Sequence, residues 1–229
     1  AVFNGAGIHF KGGSAYLENV EINNNSAGLA GAVFFTYFAT PILSNVHITD
    51  NTSGTGSIVI LFSSHPIFNH VTIANNVAPF HTYGSLDIQE NCEITISNSI
   101  LYNNELYEIS IRNALANISN SLVQGGWEGD GNIDAAPLFV DAANGDYRLS
   151  DYSPAIGAGT STGTPSTDID DNVRPNPAGS NPDMGAYENA LGSPSAPPVP
   201  TNLAATVGNG VVNLSWTGND YATSYSVYR

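Results

Sequence analysis

Apolar residues recur in pairs with one residue between them: Ile8 and Phe10, Val33 and Phe35, Ile58 and Ile60, Leu86 and Ile88, Ile109 and Ile111. The pairs advance along the chain in steps of 25, 25, 28 and 23 residues. A second set, Val20–Ile22, Val46–Ile48, Val71–Ile73, Ser99–Leu101 and Ser121–Val123, advances by 26, 25, 28 and 22. Leu17, Leu43, Phe68, Ile96 and Ile118 keep the same time, and so do Asn25, Asn51, Asn76 and Asn104, until Gly126 ends that column. Alternation two apart predicts strands, and a period in the twenties predicts a solenoid. No helical periodicity competes.

Strands this short and this regularly spaced must pair in parallel with their equivalents one turn away, at about 4.8 Å. Residues 1–126 therefore read as about five turns of parallel β-helix with the apolar columns inside. The asparagines are expected to stack at a bend, each amide serving its neighbour and nearby carbonyls that would otherwise be buried unpaired.

Two recurring motifs carry a family resemblance. Gly5-Ala6-Gly7-Ile8 and Ala30-Gly31-Ala32-Val33 resemble the Gly-Gly-Ala-Ile repeat of polymorphic outer-membrane proteins. Ile22-Asn23-Asn24-Asn25, Ile48-Thr49-Asp50-Asn51 and Ile73-Ala74-Asn75-Asn76 resemble its companion Phe-x-x-Asn, with Ile for Phe. The resemblance implies the right-handed parallel β-helix of the pectate-lyase-like superfamily over about half the chain.

The period vanishes at Trp127, and 11 acids up to Glu188 face only Arg148 and Arg174. Asn144-Gly145, between Phe139-Val140-Asp141 and Asp146–Leu149, predicts a hairpin. The runs 132–141, 145–149, 153–159, 168–175 and 183–188 together resemble the choice-of-anchor Q region, although Ala136 and Gly157 stand where Asp is common. That resemblance implies that residues 127–190 close the C-terminal end of the solenoid, whose last turn would otherwise expose core and strand edges. Residues 191–200 read as a proline-rich, semi-rigid spacer. Beyond it, Pro200–Leu203, the strand ending in Trp216, and Tyr225–Tyr228 resemble the first three strands of a fibronectin type III domain. Such sandwiches need about 100 residues, so 201–229 read as a truncated one. The expected class is all-β: a β-helix solenoid, its capping region, and the start of a sandwich. Since the chain opens inside a repeat and stops inside a module, it is expected to be a fragment.

Composition narrows the partners. The net charge is −15, with only five Lys and Arg among 229 residues. Neither nucleic acid nor an anionic membrane surface suits such a chain, because phosphate binding needs a basic stripe. No apolar run reaches the roughly 20 residues that a membrane-spanning helix needs. Cys92 is the sole cysteine and reads as a buried side chain. The resemblances imply a secreted or cell-surface bacterial protein.

The alternation also names the outward residues of one sheet: His9, Phe34, Val59, Asp87 and Ser110, then Lys11, Thr36, Leu61, Gln89 and Arg112. Uronate-lyase chemistry needs a base and charge neutralisation within one sugar's reach. Lys11 and Arg112 lie four turns apart, roughly 19 Å at strand spacing, and Asp87 is the single carboxylate. A surface ion pair explains Asp87 and Arg112. Glu18 with Glu21, and Glu90 with Glu93, sit at strand edges without a frame for hydrolysis. The five histidines share no column and read as surface residues. Phe34, Val59 and Leu61, with Tyr37, Phe38, Phe80 and Tyr83 nearby, form an apolar strip: either the loop Thr36–Pro41 folds over it or it is an aromatic sugar platform. Asp168, Asp170 and Asn172 alternate as calcium ligands do, or cap turns and pair with Arg148 or Arg174.

No catalytic residue is expected within these turns and no cofactor beyond the calcium just mentioned. The expected role is structural or adhesive, contacting extracellular polysaccharide or other cell-surface components. The main alternative is the C-terminal part of a polysaccharide lyase or other glycan-active β-helix enzyme whose catalytic turns lie upstream. An autotransporter passenger is a third reading, disfavoured by the fibronectin-like tail.

Overall fold

The computed structural model describes residues 7–78, 84–105, 107–219, 221–222 and 224–227. They divide into two compact units, residues 1–194 and 195–229.

The first unit is built on two main parallel sheets, with a third short one where Ser26–Ala27 pairs in parallel with Thr52–Ser53. One contains Ile8–Lys11, Ala30–Thr36, Gly56–Ile60, Leu86–Gln89 and Ile109–Arg112, in that order. Its register aligns Ile8, Val33, Ile58, Leu86 and Ile109. The other begins with Tyr16–Asn23, Ile42–Thr49 and Ile67–Ala74. It then splits on each later turn into two shorter strands, Glu93–Ser97 with Ile100–Tyr102, and Leu115–Ser119 with Leu122–Val123. Here Leu17, Leu43, Phe68, Ile96 and Ile118 align, as do Val20, Val46 and Val71. The apolar columns face one another inside the tube. Val46, Val71, Phe35, Phe68, Ile58 and Ile96 are fully buried, and rings stack from turn to turn, Phe10 on Phe35 at 5.3 Å. Each such aliphatic or aromatic side chain contributes about 1.5–3 kcal/mol by leaving water.

The mid-strand bend of the second sheet is made by Asn19, Asn45, His70, Asn98 and Asn120, all left-handed with φ of 54°, 52°, 54°, 51° and 48°. Asparagine suits that conformation because its short amide bonds locally. At the next corner the expected ladder is present. Asn25 Nδ2 donates to Asn51 Oδ1 at 3.0 Å, Asn51 to Asn76 at 2.9 Å, and Asn76 to Asn104 at 2.9 Å. Each amide oxygen also accepts the backbone N–H of the preceding asparagine.

Residues past the last turn, expected to close the end of the solenoid, also run along its side. The first few do continue the turn: Ile133 bridges Leu122 in parallel, Asn132 Oδ1 accepts the Ser121 N–H, and Trp127 packs on the core. The chain then makes a hairpin, Phe139–Asp141 against Asp146–Leu149, with Gly145 at φ 85° in its turn. From there it runs back along the flank of the second sheet. Tyr147 Oη donates to Asp50 at 2.9 Å, Ala186 N–H to Thr72 Oγ1 at 3.0 Å, Gly185 N–H to Asn98 O at 2.7 Å, and Arg174 Nη1 to Asn45 Oδ1 at 2.8 Å. Three successive turns are thus held from the side. Two histidines expected at the surface lie beneath this strap. His47 is 3 % exposed between Tyr147 and Tyr187, and His70 is fully buried. His81 lies outside the described residues.

The second unit is a hairpin, Thr201–Val207 antiparallel to Val212–Thr217, with Trp216 edge-on to Tyr225 at 5.5 Å. Of Tyr225–Tyr228, expected as a third strand, Tyr225, Ser226 and Val227 form none, and Tyr228 lies outside the described residues. Leu203, Val207 and Val212 are exposed, as in a hairpin with nothing packed over it.

Candidate functional site

The outward face of the first sheet is where a groove would bind polymer, and its side chains are held rather than free. Asp87 is 1 % exposed. Its carboxylate accepts from Ser110 Oγ at 2.8 Å, from Gln89 Nε2, and from Arg112 Nη2 at 3.0 Å. The ion pair inferred from sequence exists, but its acid lies below the surface while Arg112 stays 40 % exposed. His9 stacks on Phe34 at 4.8 Å and shares a 2.9 Å hydrogen bond with Thr36. Burial, with the Lys11 charge beside it, holds the His9 imidazole below its ordinary pKa.

The apolar strip is covered. Phe34 is 5 % exposed and Val59 1 %, because Leu29 and Ala30 pack over them, with Leu61 partly buried at the side. The cover comes from the bend before the strand, not from the loop Thr36–Pro41. That loop instead turns outward. Tyr37 is 51 % exposed and Phe38 70 %, and on the next turn Phe62 is 40 % exposed. Tyr37 and Phe62 stack at 4.9 Å, and Lys11 Nζ lies 5.4 Å from the Tyr37 ring centre. Phe80 and Tyr83 lie outside the described residues.

This corner is strained as well as greasy. Tyr37, Phe38 and Phe62 have φ of 56°, 62° and 57°, where the corresponding bend residues of other turns are Gly12, Gly13, Glu90 and Asn91. A left-handed backbone costs a bulky L-residue about 1–2 kcal/mol, and aromatic exposure adds to it. Two unfavourable features on adjacent turns mark the corner as more than a connection. Of the four residues expected to touch glycan, Phe34, Val59, Leu61 and Tyr37, Tyr37 alone lies in it.

Asp168, Asp170 and Asn172 organise a turn. Asp168 is fully buried, and its carboxylate accepts the N–H groups of Asp170 (2.9 Å), Asn172 (2.8 Å) and Glu188 (2.8 Å) and the Asn172 amide (3.1 Å). Asp170 points its carboxylate to Arg148 Nη2 at 2.8 Å. These partners are those of the turn-and-ion-pair reading, and among the described residues no group of three or more His, Cys, Asp or Glu is arranged to hold a metal.

One acidic residue escaped the sequence reading. Glu108 is 8 % exposed at the floor of a cleft of about 380 Å³ beside the last turn. It accepts the Asn104 N–H at 3.1 Å and the Asn104 side-chain amide. Burial pushes its carboxyl up to about 7 against those two donors. The signal was present: Ala32, Ser57 and Ser85 precede the inward residue on other turns, and Glu108 replaces that small residue.

Residues 2–140 match the family model described as the right handed beta helix region. Among curated proteins, an amylopullulanase of Thermoanaerobacterium saccharolyticum is 57 % identical over 35 residues, covering 15 % of this chain and 3 % of that protein. The chain thus spans a very small part of that relative's length. No solved structure matches it significantly.

Proposed function

The chain belongs to the right handed beta helix family, and from that premise we propose that it is a non-catalytic, glycan-contacting section of a secreted or cell-surface protein. The corner formed by Tyr37, Phe38 and Phe62 is the contact. Its support is the stack of exposed rings held at 4.9 Å in a conformation that aromatic residues otherwise avoid. A pyranose presents an apolar face of C–H groups that packs on an exposed aromatic ring face, and Lys11 beside these rings offers a charge for its hydroxyls. In this reading residues 127–190 are a choice-of-anchor Q-like strap, and 201–229 begin a fibronectin type III-like module. The short likeness to an amylopullulanase fits a glycan-related setting. Calcium plays no part in the contact, since Asp168 and Asp170 are committed to the turn and to Arg148.

Affinity electrophoresis through gels containing amylopectin, pullulan or polygalacturonate tests this reading. The chain should be retarded in at least one gel, and Tyr37→Ala with Phe62→Ala should abolish the retardation while Phe34→Ala, if folded, should leave most of it. Mobility unaffected by every polysaccharide, or retardation indifferent to Tyr37 and Phe62, would defeat it.

A further inference from the structure

The second, third and fourth turns of the solenoid enter the first sheet through a glycine and a small residue, Gly31-Ala32, Gly56-Ser57 and Gly84-Ser85. Those glycines lie under the next turn. A Cβ on Gly84 would sit 2.8 Å from Tyr107 O, and one on Gly56 3.0 Å from Gly84 O. On the last turn the same two places are Tyr107 and Glu108. Tyr107 is tolerated, 63 % exposed, because among the described residues no further strand pairs beyond Ile109–Arg112. The chain leaves the stack here: Leu101 pairs with Val123, so Gly126 would stand opposite Asn104, but Gly125 and Gly126, at φ 83° and 78°, turn away.

The fifth place of the asparagine ladder therefore opens on a cleft lined by Tyr107, Trp127, Gln124, Asn103 and Glu108. Its roughly 380 Å³ is the size of a small-molecule site. In the ladder each amide accepts two N–H bonds and donates onward. Glu108 accepts both Asn104 donors, and each of its oxygens keeps a lone pair for another N–H.

Glu108 supplies the acceptor that a fifth asparagine would have offered Asn104. We propose that this cleft binds a sugar carrying an acetamido group, whose amide N–H donates to a remaining lone pair of Glu108 while its pyranose ring lies against Tyr107 and Trp127. The acetamido methyl meets the apolar wall of Val123 and Ile109 at the back of the cleft. The site is separate in sequence and in turn from the Tyr37 corner, so it stands or falls independently of the reading given above.

Isothermal titration at about pH 8 with N,N′,N″-triacetylchitotriose and with cellotriose tests it, since the two differ by acetamido against hydroxyl. The acetylated trimer should bind at least about tenfold more tightly, because a group placed for an N–H is left unpaired by the analogue. Tyr107→Ala, at an exposed position, should weaken it severalfold without loss of fold, and Glu108→Gln should reduce the preference for the acetamido sugar. Tyr37→Ala should change nothing. Equal binding of both trimers, no binding of either, or loss through Tyr37→Ala instead of Tyr107→Ala would overturn the proposal.

Discussion

Tyr147 and Asp50, 97 residues apart, meet through a 2.9 Å hydrogen bond, and Asn75 from the following turn donates to the same phenol at 2.7 Å. One hydroxyl thus ties the C-terminal strap to two turns of the solenoid. Tyr147 is 1 % exposed, and burial with the Asp50 carboxylate drives its ionisation far upward. Tyr147→Phe keeps the ring and removes both bonds. It should cost about 1–3 kcal/mol in urea denaturation. An unchanged midpoint would show that the strap is held by packing alone.

The asparagine ladder predicts a gradient. Asn76→Ala strands the Asn51 donors and the Ile48 carbonyl in the interior, where each unsatisfied group costs about 1–3 kcal/mol. Asn25 has no turn donating to it among the described residues, and Asn25→Ala should cost less than half as much. Equal losses at both positions would mean that the column does not act as a chain of bonds.

Stability should depend on pH through Glu108. Its carboxyl, raised to about 7, favours the folded state fully below the ordinary carboxylate range, and that contribution is lost as pH rises to about 7. The change amounts to about 3 kcal/mol at most. Asp183, also raised to about 7 by burial and by Glu188, acts in the same direction. His47, lowered to about 4 by burial, opposes them, its contribution lost as pH falls from its ordinary range toward 4. Glu108→Gln should therefore cost more stability at pH 5 than at pH 8, read as urea midpoints. A cost independent of pH would contradict this assignment.

With Asp87 buried and bonded to Ser110, Gln89 and Arg112, and His9 four turns from Arg112, the outward face of the first sheet brings no uncommitted base together with Arg112 among the described residues. Incubation with polygalacturonate, with or without added calcium, should yield no unsaturated product absorbing in the ultraviolet. Product that Arg112→Ala abolishes would replace the non-catalytic reading with a lyase.

A nonspecific protease should cut first between the two units. Residues 195–200 are without strand or helix, and the exposed hairpin beyond them buries little. Mass spectrometry should find a persistent fragment ending near residue 194. Equal persistence of the whole chain would show that the second unit is better packed than its exposure implies.

The turns were legible because their side chains repeat: Val46, Val71 and the ladder asparagines declare their places by spacing alone. The burial of Phe34 was not, since alternation tells inward from outward and says nothing of Leu29 folding over the outer face. The path of the strap was hidden for a related reason. Arg174 finds Asn45 from 129 residues away, and an aperiodic segment carries no mark of such a partner. Tyr37 was legible as an aromatic near the groove, but its stack with Phe62 depends on a left-handed bend that only Gly12 and Gly13 hint at in the sequence.

A stack of turns, each touching only its neighbours, ordinarily comes apart like a zip, one tooth at a time. The strap changes that mechanics. With Asn45, Thr72 and Asn98 on successive turns all bonded to one segment, tension arriving from the C-terminal side loads several turns in parallel. The turns must then shear together, so the protein should resist stretching as a bolt rather than yield as a zip.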